Sequence, residues 1–117
     1  MTARPVLIVD AANVVGSVPD GWWRDRKGAA ERLRDRLAER HFDEEVVLVV
    51  EGAARDVESV PGVRVESASG SGDDLIVELA AALADRPCTV VTADRELRER
   101  VRAYGAGCVG PRTVRPV

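Results

Sequence analysis

The chain has 117 residues, 45% of them hydrophobic, which suits one compact domain over residues 1–117 with a buried core. No apolar run is long enough to span a bilayer, and the N-terminal residues lead straight into a strand without a signal-peptide layout, so the reading is a soluble, cytoplasmic protein with no membrane partner. Cys88 and Cys108 lack metal-ligand spacing and read as buried free thiols, and His41 is the only histidine, which excludes a histidine-rich zinc site.

The net charge of −3 disfavours a polyanion partner only as a sum. Residues 24–40 hold seven Arg/Lys against four acids, residues 41–85 hold two against eleven, and residues 86–117 hold seven against three. Two basic flanks thus surround an acidic middle, and local patches steer a polyanion more than the total does. Lys27 is the only lysine, so the arginine content is in part a compositional bias.

In chain order, Val6–Asp10 is the first expected strand, closing on an aspartate. No helix is expected directly after it, so Asp10 has no helix to cap. A helix follows over 26–40, with Ala30, Leu33 and Leu37 on one face. Val46–Val50 is a continuous apolar run of the kind that fills a parallel sheet. Val63–Glu66 is a shorter strand, residues 73–84 are a helix with Leu75, Ile76, Leu79, Ala80 and Leu83 on its apolar side, and Thr89–Thr92 is a strand. Residues 95–104 form the last helix and Cys108–Val109 a last short strand. Strands alternating with helices imply a three-layer α/β/α, Rossmann-like fold with a mostly parallel sheet of four to five strands.

Such a sheet gathers every strand's C-terminal end on one edge, where ligands bind. Asp10 falls there, as do Asp73 and Asp74 in "SGSGDDLIVELA" and Asp94 in "VVTADREL", with Glu96 two residues on. Each acid taken singly has an ordinary explanation: aspartates start helices, and Ser71 with Asp74 reads as a capping box. Taken together, crowded carboxylates repel and raise one another's pKa, a cost that a divalent cation removes. Oxygen ligands without His or Cys favour Mg²⁺ or Mn²⁺, whose chemistry includes activating water against a phosphodiester.

At these residues the sequence resembles a known family. "VDAANV", "GDDLIVELA" and "VVTADREL", in that order across nearly the whole chain, are similar to the NYN branch of the PIN-like nucleases in its bacterial YacP-like form. The resemblance implies a PIN-like fold and a Mg²⁺- or Mn²⁺-dependent endoribonuclease acting on RNA. It implies Asp10, Asp74 and Asp94 as catalytic ligands that converge on one cation, with Asp73 and Glu96 assisting or binding a second. It gives Asn13 and Thr92 to water or phosphate. Glu96 stands where many members carry a second aspartate.

Other residues suit RNA contact. Only four aromatic residues exist, and Trp22 and Trp23 are adjacent, beside Arg24, Arg26 and Lys27. Neighbouring side chains point different ways, so one tryptophan is expected to pack inward and the other to offer a stacking surface. Arg32, Arg36 and Arg40 read as a solvated face. Arg95, at the start of the last helix, is the better phosphate contact. "SASGSGDD" lacks the Gly-Lys-Ser/Thr that ends a P-loop, so no nucleotide cofactor is expected. Two other classes stay open: a catalytically incomplete RNA- or protein-binding module on the same fold, and the toxin of a toxin–antitoxin pair. A homodimer or a protein partner is compatible with all of them.

Overall fold

A computed structural model describes residues 3–115. Residues 1, 2, 116 and 117, at the ends of the span read as one domain, lie outside the described residues. Five strands make a single sheet: β1 Val6–Asp10, β2 Glu45–Val50, β3 Val63–Ser67, β4 Cys88–Val91 and β5 Gly107–Val109. Their order is β3-β2-β1-β4-β5, and every neighbouring pair is parallel. Four helices cover it: α1 Ala11–Gly16, α2 Arg26–Arg40, α3 Gly72–Ala82 and α4 Arg95–Arg102.

The strand residues alternate between two cores, because successive side chains leave a strand on opposite faces. Leu7, Val9, Val46, Leu48, Val50 and Val91 pack under α1 and α2 with Val14, Leu33 and Leu37. Val6, Ile8, Val47, Val49 and Val90 pack under α3 and α4 with Ile76, Ala80, Leu97 and Val101. The result is an α/β/α sandwich whose inner strands are apolar on both faces, as the run Val46–Val50 requires.

Helix α1 is the element that the sequence reading lacks. It starts directly after Asp10, and the Asp10 carboxylate accepts the Asn13 N–H at 3.4 Å as its N-cap. Asp10 therefore does cap a helix, contrary to expectation. The helix has six residues, too few to show a full amphipathic repeat, and its stability comes from burying Ala11, Val14 and Val15.

Local caps set the other boundaries. The Asp25 carboxylate accepts the Gly28 N–H at 3.0 Å and starts α2. A Cβ at position 28 would meet Asp25 Oδ2 at 2.2 Å, so glycine is what lets that cap close. His41 ends α2 in the left-handed region at φ 51° and is exposed. Cys88 and Cys108 are free thiols, as expected, but only half-buried, because they sit towards the edges of β4 and β5. No helix among the described residues is long and apolar enough to cross a membrane.

The inner strands bear most of the fold's stability. Leu48 is fully buried at the centre of the sheet. Leu48→Ala should lower the unfolding free energy by about 2–5 kcal/mol in urea denaturation. A loss below about 1 kcal/mol, the scale of a surface substitution, would contradict this packing.

Candidate functional site

The strand order reverses direction at β1, with β2 on one side and β4 on the other. In open parallel sheets the crevice at such a reversal, outside the strands' C-terminal ends, is where ligands bind. Asp10 closes β1 at that point, and Thr92 and Asp94 follow β4 across the gap. Among the described residues, Asp10 and Thr92 are the two polar residues buried in the core.

Hydrogen bonds tie the two strand ends together. The Thr92 hydroxyl donates to Asp10 Oδ2 at 2.9 Å and accepts the Asp94 N–H at 3.1 Å. Asn13 Oδ1 accepts the Ala93 N–H at 2.8 Å. Asn13 and Thr92, expected to orient water or phosphate, thus hold the loop after β4 against the start of α1. Arg98 closes the same loop from behind by donating to the Thr92 carbonyl at 2.8 Å. The Asp94 carboxylate accepts the Leu97 N–H at 3.1 Å as the N-cap of α4.

Alternation along the strands decides which acids face each other. Asp10 continues the Val6 and Ile8 series towards the α3/α4 layer, and Glu51 continues the Val47 and Val49 series towards the same layer. On α3, Asp73 lies three residues before buried Ile76 and so on the sheet-facing side. Asp74 lies one turn before exposed Glu78. Asp73 and Glu51 repel Asp10, and Asp94, Glu51 and, last, Asp74 repel Asp73.

The structure sets the two aspartates of "GDD" apart. Asp74, the matched central aspartate, is turned outward, 67% exposed, and pairs with Arg100 at 2.9 Å. That arginine holds its carboxyl below the usual range. Asp73 takes the inward position. Ser71 does cap α3 by accepting the Asp74 N–H at 3.2 Å, so Asp74 contributes its backbone to the helix start. Glu96 is exposed on α4, where its field acts on Arg100 and not on Asp10. Glu51 is the acid that the sequence reading passed over. The period-2 alternation through "EVVLVVE" is the signal that locates it.

Burial dominates the electrostatics. It pushes Asp10 up from 3.8 to about 6, with Asp73 and Glu51 adding to the rise. The Thr92 and Asn13 hydrogen bonds oppose it without cancelling it. Asp73 is also raised, first by burial and then by the Asp94 charge. The ionised edge is therefore under strain that a cation would relieve.

The geometry limits how a cation could be held. Among the described residues, no three His, Cys, Asp or Glu side chains converge closely enough to enclose a metal ion. Both Asp10 oxygens already accept a hydrogen bond. The donor set fits an ion that keeps most of its water and takes one or two carboxylates directly, which is the habit of Mg²⁺.

The aromatic stretch flanks this edge. Trp22–Arg24 is a 3₁₀ turn between α1 and α2. Trp22 packs partly against the core, whereas Trp23 is 51% exposed. The division is the expected one, but it is the inward tryptophan that meets a cleft. Arg24 and Arg26 are exposed, with their guanidinium groups over the Trp23 and Trp22 rings at 6.0 and 5.3 Å. Arg95 is exposed at the first turn of α4.

The fold is similar to the crystal structure of Rae1 (YacP) from Bacillus subtilis, with a TM-score of 0.78 and 22% identity, covering 95% of this chain and 72% of that one. At that identity the likeness shows the fold, a YacP-like α/β/α sandwich. No family model matches the chain, and no curated protein matches it.

The Asp10 shift has a measurable consequence. In the unfolded chain the group ionises near 3.8, and in the folded chain near 6. The neutral acid contributes stability that is complete below pH 3.8 and is lost as pH rises through about 6. Asp10→Asn, neutral throughout, should therefore be about 3 kcal/mol more stable than wild type at pH 8. The gain should vanish near pH 4, measured by urea denaturation at both values. A difference that does not change with pH would contradict the buried-charge account.

Proposed function

We propose that the chain is a metal-dependent endoribonuclease of the PIN-like, NYN type, cutting RNA phosphodiester bonds at the β1/β4 edge. The observation that carries the reading is the buried, strained Asp10 beside Asp73 and Glu51 at the sheet's reversal point, with Asp94 acting in turn on Asp73. A burial of this kind destabilises the apo protein, and its use is to bind a cation. Two further lines support the same branch: the motif order along the sequence and the likeness in fold to a YacP structure.

In this reading Asp10 and Asp73 hold Mg²⁺ or Mn²⁺, and Asp94 and Glu51 act through its water shell. A bound divalent cation supplies Lewis-acid stabilisation of the charge that develops on the phosphodiester. Thr92 and Asn13 keep Asp10 and the Asp94 loop in register. Arg95 and Arg26, exposed on either side, attract the RNA backbone by charge. Asp74 is left to its ion pair with Arg100, and Glu96 to the surface.

The second reading, a binding module that does not cut, is favoured by the lack of a three-acid cluster among the described residues. Thermal unfolding and RNA cleavage with Mn²⁺ separate the two. Mn²⁺ at 100 times its Kd should add about 2.7 kcal/mol of stability to wild type. Asp10→Asn and Asp73→Asn should abolish that gain and lower cleavage by about 100-fold or more, as loss of a group stabilising the transition state does. Asp74→Asn should keep both. An unshifted melting curve together with intact RNA would sink the nuclease reading. Equal losses for Asp73→Asn and Asp74→Asn would sink the assignment of ligands.

A further inference from the structure

Against α2 lies a shallow depression of about 30 Å³ that shares no residue with the proposed cation site. Ala29 and Leu33, both buried, form its floor, and Arg32, Arg36, Arg115 and Asp20 stand around it. Arg115 comes from the far end of the sequence and is fixed in place. Its side chain is only 11% exposed, donates to the Val15 carbonyl at 3.1 Å and pairs with Asp20. That contact holds the Asp20 carboxyl below its usual range.

The arginines of α2 divide into two groups. Arg34 pairs with Asp35 and donates to the Glu58 carbonyl at 2.9 Å, and Arg40 donates to the Thr113 carbonyl at 2.6 Å. Arg32 and Arg36, expected to form a solvated face, make no ion pair among the described residues, and neither do the nearby acids Glu31 and Glu39. Arg32 and Arg36 are one turn apart, where like charges repel. Both are exposed and unengaged, so their guanidinium groups can turn onto a group seated between them. Asp20 is the one carboxylate lining the depression among the described residues, and Arg115 already engages it. Three arginines thus surround a single, occupied acid.

We propose that this depression is a phosphate site that anchors the RNA backbone away from the carboxylate edge. Its volume is far below the roughly 300 Å³ at which small-ligand pockets begin, so neither a base nor a sugar enters it. Its ligand must present a small anionic group and keep the rest of itself outside, as a phosphodiester on a polymer does. Guanidinium groups match phosphate oxygens through paired N–H donors. The apolar floor of Ala29 and Leu33 strengthens such bonds by excluding water on one side. Arg26, the first residue of α2, stands beside the carboxylate edge, and Arg32 and Arg36 lie about 9 and 15 Å further along the helix axis. A strand held at the edge can therefore reach the depression. The phosphate chemistry stands by itself; RNA as its bearer rests on the ribonuclease reading.

Binding of a labelled single-stranded RNA to the full chain, in EDTA so that nothing is cut, tests the anchor. Arg32→Gln/Arg36→Gln, at two exposed positions, should weaken binding about tenfold. It should also lower the slope of log affinity against log salt by about 0.7, the share of one phosphate on a single strand. Arg64→Gln/Arg102→Gln removes the same charge from exposed positions on β3 and α4 and should leave both values near wild type. Inorganic phosphate, compared with chloride at equal ionic strength, should raise the Tm of wild type and not that of Arg32→Gln/Arg36→Gln. Unchanged RNA affinity in Arg32→Gln/Arg36→Gln, or an equal loss in Arg64→Gln/Arg102→Gln, would overturn the proposal. Stabilisation by phosphate without an effect on RNA would overturn the anchor and leave a site for free phosphate. RNA affinity that depends on Arg32 and Arg36, without cleavage in Mn²⁺, would keep the anchor and remove the nuclease reading. Cleavage with equal RNA affinity in wild type and Arg32→Gln/Arg36→Gln would do the reverse.

Discussion

The hydrogen bond from the Thr92 hydroxyl to Asp10 Oδ2, 2.9 Å long and buried, fixes the rest of the site. It joins the ends of two neighbouring strands at the point where the sheet reverses its order. Through the same hydroxyl it reaches the Asp94 N–H, so the position of Asp94 is set relative to Asp10 by two consecutive bonds. Asn13 repeats the tie one residue further along, from α1 to Ala93. Buried polar groups are costly unless each finds a partner, and among the described residues no buried side-chain polar atom lacks one. A site that must hold carboxylates close together against their repulsion needs this kind of framework.

The framework does not remove the electrostatic cost. Two hydrogen bonds stabilise the ionised Asp10, yet burial and the neighbouring acids still win, and its pKa stays near 6. The helix geometry of α3 adds to the strain. Asp73 is turned inward by the same spacing that buries Ile76 and Ala80, while Asp74, 100° around the helix, reaches Arg100 in solvent. The inward acid is thus offset only in part, by the field of Arg100, while the outward acid pairs with that arginine directly. Exposed pairs such as Asp74–Arg100 contribute at most about 1 kcal/mol, so the asymmetry matters for where charge accumulates more than for stability. Glu51 and Asp73, from the acidic middle of the sequence, thus join Asp10 and Asp94 at the sheet edge.

Most of the architecture was legible in the residues. The apolar run Val46–Val50, typical of an inner strand of a parallel sheet, is β2, and the apolar spacing over 26–40 matched α2 at both ends. The strand ends alone bring Asp10 and Thr92 to one edge of the sheet. What escaped was local. Helix α1 is too short for periodicity to show, and it forms because Asp10 caps it and Val14 and Val15 bury. The choice between Asp73 and Asp74 depends on helix phase, which a one-residue difference in the helix start rotates by 100°. The start observed at Gly72 turns Asp73 to the sheet. Glu51 was hidden because it follows a run that is apolar on both faces, where alternation carries no contrast until the two cores are distinguished. The cleft beside Trp22 depends on three separate segments meeting, which no local pattern encodes.

The central claim is that the inward acids, Asp10 and Asp73, hold a divalent cation at the sheet's reversal point. The most direct measurement is anomalous diffraction from crystals soaked in Mn²⁺. The account predicts an anomalous peak between the Asp10 and Asp73 carboxylates, lost in Asp73→Asn and retained in Asp74→Asn. A crevice without a peak at saturating Mn²⁺, or a peak held by Asp74 at the helix surface, would contradict it.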